Sequence, residues 1–144
     1  MKLKSKKEIQ EWLSEMGVKN YTINSDLTVD VDSDVNLLSL KLSYLPVQFG
    51  VVSGYFYCDY NQLTSLKGCP KEVGGHFSCG YNELTSLAGC PKEVGGYFSC
   101  EYNELTSLEG CPKKVSGDFY CWYNKTIFTR QDVQSLCKVD SIVV

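Results

Sequence analysis

The sequence predicts an α/β repeat solenoid. It should have a parallel β-sheet on the concave face, a mostly irregular convex side, a helical N-terminal cap and a short helical C-terminal cap. Two observations carry this expectation. First, three units repeat almost residue for residue every 21 residues, over 54–73, 75–94 and 96–115, and a fourth begins at Gly117. A fixed period in this range marks stacked units that cannot bury an apolar face alone. Second, each unit carries a short alternating stretch such as Phe77-Ser-Cys79, the period of a half-buried strand.

The elements follow in chain order. Residues 1–50 read as the N-terminal cap, 51–124 as the repeats and 125–144 as the C-terminal cap. Ser5 and Glu8 form a capping box, and Ile9, Trp12, Leu13 and Met16 fall at helical spacing, so a helix is predicted over 5–16. Trp12 is then a packing residue. Leu27, Val29 and Val31 alternate with Thr28, Asp30 and Asp32, which predicts a strand near 27–31. Leu37, Leu40, Leu45 and Pro46 look like a degenerate first rung. Thr129 and Asp132 predict a short helix running through Cys137, with Ile142, Val143 and Val144 covering the last exposed core.

Within a rung, Phe77 and Cys79 should point inward and Ser78 outward, with Leu84 and Leu87 lining the core. Gly89 permits the bend, and Pro91 opens the returning stretch that ends at Val94. Asn61, Asn82, Asn103 and Asn124 stand where the strand turns and backbone groups lose ladder partners. A buried amide there can donate and accept, linking one rung to the next. The pattern Phe-x-Cys-x-x-Asn-x-Leu-x-x-Leu resembles the leucine-rich repeat, with Phe and Cys in two leucine slots. The proline after the second cysteine is similar to the short bacterial type. Leu-Thr-Ser-Leu-x-Gly-Cys-Pro is similar to repeats encoded in bacteriophage genomes. The resemblance spans about residues 50–124 and implies a fold that scaffolds many functions.

At 43% hydrophobic residues and a formal charge of −3, the chain suits a folded domain and has no overall pull toward nucleic acid or membrane. No apolar run approaches a membrane span, and none follows the basic start as a secretory signal requires. A cytoplasmic location is expected, that of the host if the chain is phage-encoded. The eight cysteines fall into two series, Cys58, Cys79, Cys100, Cys121 and Cys69, Cys90, Cys111, with Cys137 apart. A cysteine that recurs with the repeat occupies a small buried slot and should remain a thiol in a reducing compartment. No Cys-x-x-Cys pair occurs, so neither metal nor cofactor is expected.

Recognition should sit on the outward residues around each Phe-x-Cys, which form four columns. Before the phenylalanine stand Tyr55, His76, Tyr97 and Asp118; after it, Tyr57, Ser78, Ser99 and Tyr120. Beyond the cysteine stand Asp59, Gly80, Glu101 and Trp122, and then Tyr60, Tyr81, Tyr102 and Tyr123. The strip holds eight tyrosines, one tryptophan and three carboxylates, with no lysine or arginine. Tyr and Trp are enriched in binding hot spots. The structural alternative is that a tyrosine recurring each rung simply stacks on its neighbours at ~4.8 Å; stacking and binding can coexist. The expected contact residues are Tyr55, Tyr57, Asp59, Tyr60, His76, Tyr81, Tyr97, Glu101, Tyr102, Asp118, Tyr120, Trp122 and Tyr123. A protein partner fits this acidic, aromatic strip best. The alternatives are a carbohydrate-binding module and a nucleic-acid-binding or nucleic-acid-mimicking protein, although direct nucleic-acid binding by this face is disfavoured because phosphates need basic residues there. The lone His76 has no recurring acid partner, and cysteines facing the core are poor nucleophiles, so no enzyme is expected.

Overall fold

The computed structural model describes residues 2–144, wound into a β-solenoid of about six turns at 21-residue spacing. Helix α1 (Lys6–Glu15) starts behind Ser5. The Ser5 hydroxyl accepts the Glu8 N–H, and the Glu8 carboxylate accepts the Ser5 N–H. Ile9 and Leu13 bury fully, and the Trp12 ring lies 6.4 Å from Phe49, closing the first turn. Strand β1 (Tyr21–Ile23) pairs antiparallel with β2 (Thr28–Val31), and every later pairing is parallel.

The chain then runs through β3 (Val35–Asn36), β4 (Gln48–Val52), β5 (Phe56–Tyr57), β6 (Glu72–Val73), β7 (Phe77–Ser78), β8 (Glu93–Val94) and β9 (Phe98–Ser99). It continues through β10 (Lys114–Tyr120), helix α2 (Arg130–Gln134) and β11 (Lys138–Val143). Two parallel ladders result. One stacks Val35, Phe56, Phe77, Phe98, Phe119 and Ile142 in register. The other stacks Val31, Val52, Val73, Val94, Val115 and Val139. Strands β10 and β11 are long enough to belong to both.

The second ladder corrects the expectation of a mostly irregular convex side. The returning stretch is itself a strand in every rung, and helices are confined to the two caps. The α/β class therefore gives way to a β-solenoid. Between the ladders the chain turns at Gly74-Gly75 and Gly95-Gly96. A Cβ on Gly95 would strike the carbonyl oxygen of Gly74, so only hydrogen fits where rungs meet backbone to backbone.

Phe77, Cys79, Leu84, Leu87, Cys90 and Val94 are buried, and the neighbouring rungs repeat the set. The Asn82 amide ties rungs together as expected. Its Nδ2 donates to the Cys58 and Cys79 carbonyls at 3.0 and 3.2 Å, and its Oδ1 accepts the Leu63 N–H at 3.0 Å. The degenerate first rung needs one correction. Leu40 occupies the asparagine slot and is 41% exposed, and half-buried Leu42 takes the leucine slot in front of buried Leu45. At the far end α2 stops at Gln134, short of the predicted Cys137, after a capping box of Thr129 and Asp132. Strand β11 extends both ladders and buries Ile142, leaving Val143 half-buried and Val144 exposed. Among the described residues, no helix is long and apolar enough to cross a membrane.

Candidate functional site

The predicted contact residues divide into two groups on the outer side of the phenylalanine ladder. The first is the column Tyr60, Tyr81, Tyr102 and Tyr123. Successive ring centroids lie 4.2, 4.2 and 4.4 Å apart, with rings tilted by 11°, 13° and 17°. The hydrogen bonds of the asparagine that follows explain the local backbone. Asn82 Nδ2 holds the Cys79 and Gly80 carbonyls together and leaves Tyr81 at the crest of a tight turn. All four tyrosines accordingly have left-handed backbones, with φ of 55°, 53°, 52° and 52°; Ser39, their first-rung counterpart, has φ of 55°.

The fold, not the side chain, imposes this conformation. A residue with a Cβ there costs about 1–2 kcal/mol, and a stacked aromatic pair returns about 0.5–1.5 kcal/mol. These roughly cancel, so stability alone does not favour tyrosine over glycine at this slot. Tyr60, Tyr102 and Tyr123 remain 54%, 37% and 69% exposed. Crowding by the flanking Tyr60 and Tyr102 rings pushes the Tyr81 phenol well above its usual range, so it stays protonated.

The second group surrounds a floor of small residues, Ser78, Gly80 and Ser99. Tyr55 stacks on Tyr57 at 4.2 Å and His76 on Tyr97 at 4.0 Å. The Tyr97 hydroxyl donates to the Tyr57 hydroxyl at 3.0 Å, bridging across the intervening rung. On the other side Tyr97 meets Tyr120 edge to face at 5.7 Å, and Tyr120 meets Trp122 the same way at 5.5 Å. Tyr120 donates to Asp118 at 3.0 Å, and hydrogen bonds from Ser141 and Tyr120 lower the Asp118 pKa.

Two of the predicted contacts turn out to have internal duties. His76 Nδ1 accepts the Tyr97 N–H at 2.9 Å, the service that Asp34 performs for the Tyr55 N–H at 3.0 Å. Asp59 is only 8% exposed. Its Oδ2 accepts the Ser78 hydroxyl and, at 3.1 Å, the Gly80 N–H. Burial raises the Asp59 carboxyl above its ordinary range, and Glu101 is raised by burial and then by Asp59 itself. Neither has a cationic partner. The ion pair found among the described residues is Lys125–Glu104, at 2.7 Å.

All eight cysteines are unpaired and buried. Desolvation raises the thiols of Cys69, Cys79, Cys90 and Cys100, and lifts Cys111 to about 12 and Cys121 and Cys137 to about 11. Among the described residues no group of three or more His, Cys, Asp or Glu is placed to hold a metal ion. The tyrosine strip is not the only surface with a marked charge. A groove of about 580 Å³ at the Gly-Cys-Pro corner is lined by Lys67, Lys71, Lys92 and Lys113. Its signal was present, since a lysine follows each Cys-Pro.

No family model matches the chain, and no curated protein or solved structure matches it.

Proposed function

We propose that this chain is a non-catalytic protein-binding module that holds a basic or apolar partner surface against its tyrosine strip. The observation that supports this reading is the left-handed tyrosine column. A residue type poorly suited to its backbone recurs four times, with Tyr60, Tyr102 and Tyr123 solvent-exposed and Tyr81 half-buried between its neighbours. Such a choice fits selection for a surface. The rungs are backbone-locked and the rings pre-stacked, so docking would freeze few rotors. The adjoining carboxylates favour positive charge in the partner.

A sugar ligand stacks on ring faces, but in this column both faces of Tyr81 and of Tyr102 are covered by neighbouring rings. Buried, high-pKa thiols fit the absence of a nucleophile. Eight free cysteines fit a reducing compartment such as the cytoplasm. By resemblance, the repeats belong with the leucine-rich-repeat type, and the specific role we favour is a phage-encoded inhibitor of a bacterial host or immune protein. The test is affinity capture from bacterial lysate with wild type and the double variant Tyr81→Ala/Tyr102→Ala. Each hot-spot truncation costs about 2 kcal/mol or more, so the pair should abolish capture while the melting curve stays cooperative. Undiminished capture by the folded double variant would place the binding surface elsewhere.

A further inference from the structure

The repeat builds a second surface, opposite in charge to the tyrosine strip, at its Gly-Cys-Pro corner. Lys67, Lys71, Lys92 and Lys113 stand along the groove of about 580 Å³. A smaller hollow of about 250 Å³, bordered by Lys2 and Tyr44, shares Gln48, Ser65, Lys67 and Gly68 with it. The two make one trough across four rungs, from Tyr44 to Lys113. Among the described residues, five lysines and no aspartate or glutamate line it.

The backbone holds three of these lysines in file. The Lys92 N–H donates to the Lys71 carbonyl and the Lys113 N–H to the Lys92 carbonyl, both at 2.8 Å. Successive lysines are therefore one rung apart, about 4.8 Å. Like charges placed one above another repel, so the column works against folding. All three side chains are exposed, and the ion pair found among the described residues, Lys125–Glu104, leaves them without a carboxylate. The neighbouring exposed columns drift, Lys67-Ala88-Glu109 on one side and Glu72-Glu93-Lys114 on the other, while the lysine after each Cys-Pro is kept. Beneath the file lies a smooth floor of buried Cys69, Pro70, Cys90 and Pro91. A Cβ on Gly68 or Gly89 would strike the backbone of the preceding rung, so no side chain rises from the floor there.

We propose that this trough seats an acidic, extended peptide segment of a partner protein, its carboxylates held by the lysine file. Charge complementarity names the occupant: uncompensated cations at fixed spacing call for a chain of anions. Three rung spacings make about 14 Å, the reach of about four extended residues. Lysine ammonium groups are point charges on flexible stems, so they can meet carboxylates whose spacing differs from their own. Single-stranded nucleic acid also needs aromatic platforms for its bases. Among the described residues the trough offers one ring, Tyr44 at its end. No residue of the trough belongs to the tyrosine strip, so the chain presents a basic and an acidic face to different partners.

The experiment is fluorescence anisotropy of labelled hexaglutamate titrated with the full chain at low salt. Labelled hexaglutamine and an oligothymidylate of equal charge are the comparison probes. Hexaglutamate should bind saturably and weaken as salt rises, hexaglutamine should not bind, and the oligothymidylate should bind more weakly. Lys92→Gln should weaken hexaglutamate binding about threefold, and Lys71→Gln/Lys92→Gln/Lys113→Gln about thirtyfold, as loss of exposed charge pairs implies. Lys114→Gln removes the same charge beside a different hollow and should bind as wild type does. These side chains are all exposed, so the substitutions leave the core intact. No saturable binding of hexaglutamate, equal binding of hexaglutamine, equal or tighter binding of the oligothymidylate, or equal losses in Lys92→Gln and Lys114→Gln would each overturn the proposal. Tyr81→Ala/Tyr102→Ala should bind hexaglutamate undiminished; a loss there would move the peptide to the tyrosine strip and overturn it too.

Discussion

Asn103→Leu is expected to lower unfolding free energy by about 2–4 kcal/mol in urea melts, despite nearly unchanged volume. The Asn103 Oδ1 accepts the Leu84 N–H at 3.0 Å, and its Nδ2 donates to the carbonyls of Cys79, Cys100 and Glu101 at 3.0, 3.2 and 3.2 Å. Leucine replaces none of these, and the freed backbone groups lie where water does not reach. Asn103→Asp separates the two halves of the amide. It retains the acceptor but sets a carboxylate against three carbonyl oxygens, so its folded-state pKa must rise above the unfolded value. In that case the folded state holds the proton more tightly. The variant should be least impaired in acid and lose stability as pH rises through its folded pKa. Loss of less than about 1 kcal/mol in the leucine variant, or a pH slope of the opposite sign in the aspartate variant, would mean that the amide does not link the rungs.

Phe98→Ala should cost about 3–5 kcal/mol, the range for truncating a fully buried aromatic. Phe98 has no exposed surface and sits in a stack, 5.7 Å from Phe77 and 4.9 Å from Phe119. The consequence should also be spatial. In a solenoid each rung contacts only its neighbours, so a void in the middle weakens coupling between the halves. Hydrogen exchange should accelerate on the β10–β11 side while α1 and β2 keep their protection. Phe98→Leu, which refills most of the volume, should cost less than about 1.5 kcal/mol. Equal losses for alanine and leucine would show that the ring is not packed as described.

Much of this architecture is visible in the sequence because it depends on local patterns. The Ser5–Glu8 box places α1, and the Phe-x-Cys alternation marks the first ladder. The second ladder is hidden for a physical reason. Glu72–Val73 and Glu93–Val94 are two-residue strands, too short to show a period. They become strands only through pairing with the rung above and below. Leu40 was legible in principle, since counting one period back from Asn61 lands on it.

For the candidate site, the recurrence of Tyr60, Tyr81, Tyr102 and Tyr123 indicates a stacked column. Their left-handed backbone is not readable, because tyrosine is a poor marker of that conformation. Asp59 reads as a surface residue yet is buried under bonds from Ser78 and Gly80, whereas His76 is exposed as read and in addition accepts the Tyr97 N–H from the next rung. The bond that buries Asp59 joins residues 19 apart, not a whole period, and so depends on how the strand leaves the ladder.

The whole arrangement turns on which side of the coil the sulfurs occupy, and a thiol count with a bulky aromatic disulfide reagent measures that directly. Under native conditions, freshly reduced protein should release less than about one equivalent of chromophore over minutes, because buried, protonated thiols are unreactive. After denaturation all eight cysteines should react. Prompt release of several equivalents from the folded chain would put the sulfurs on the surface and the phenols out of their column, and the account would be wrong.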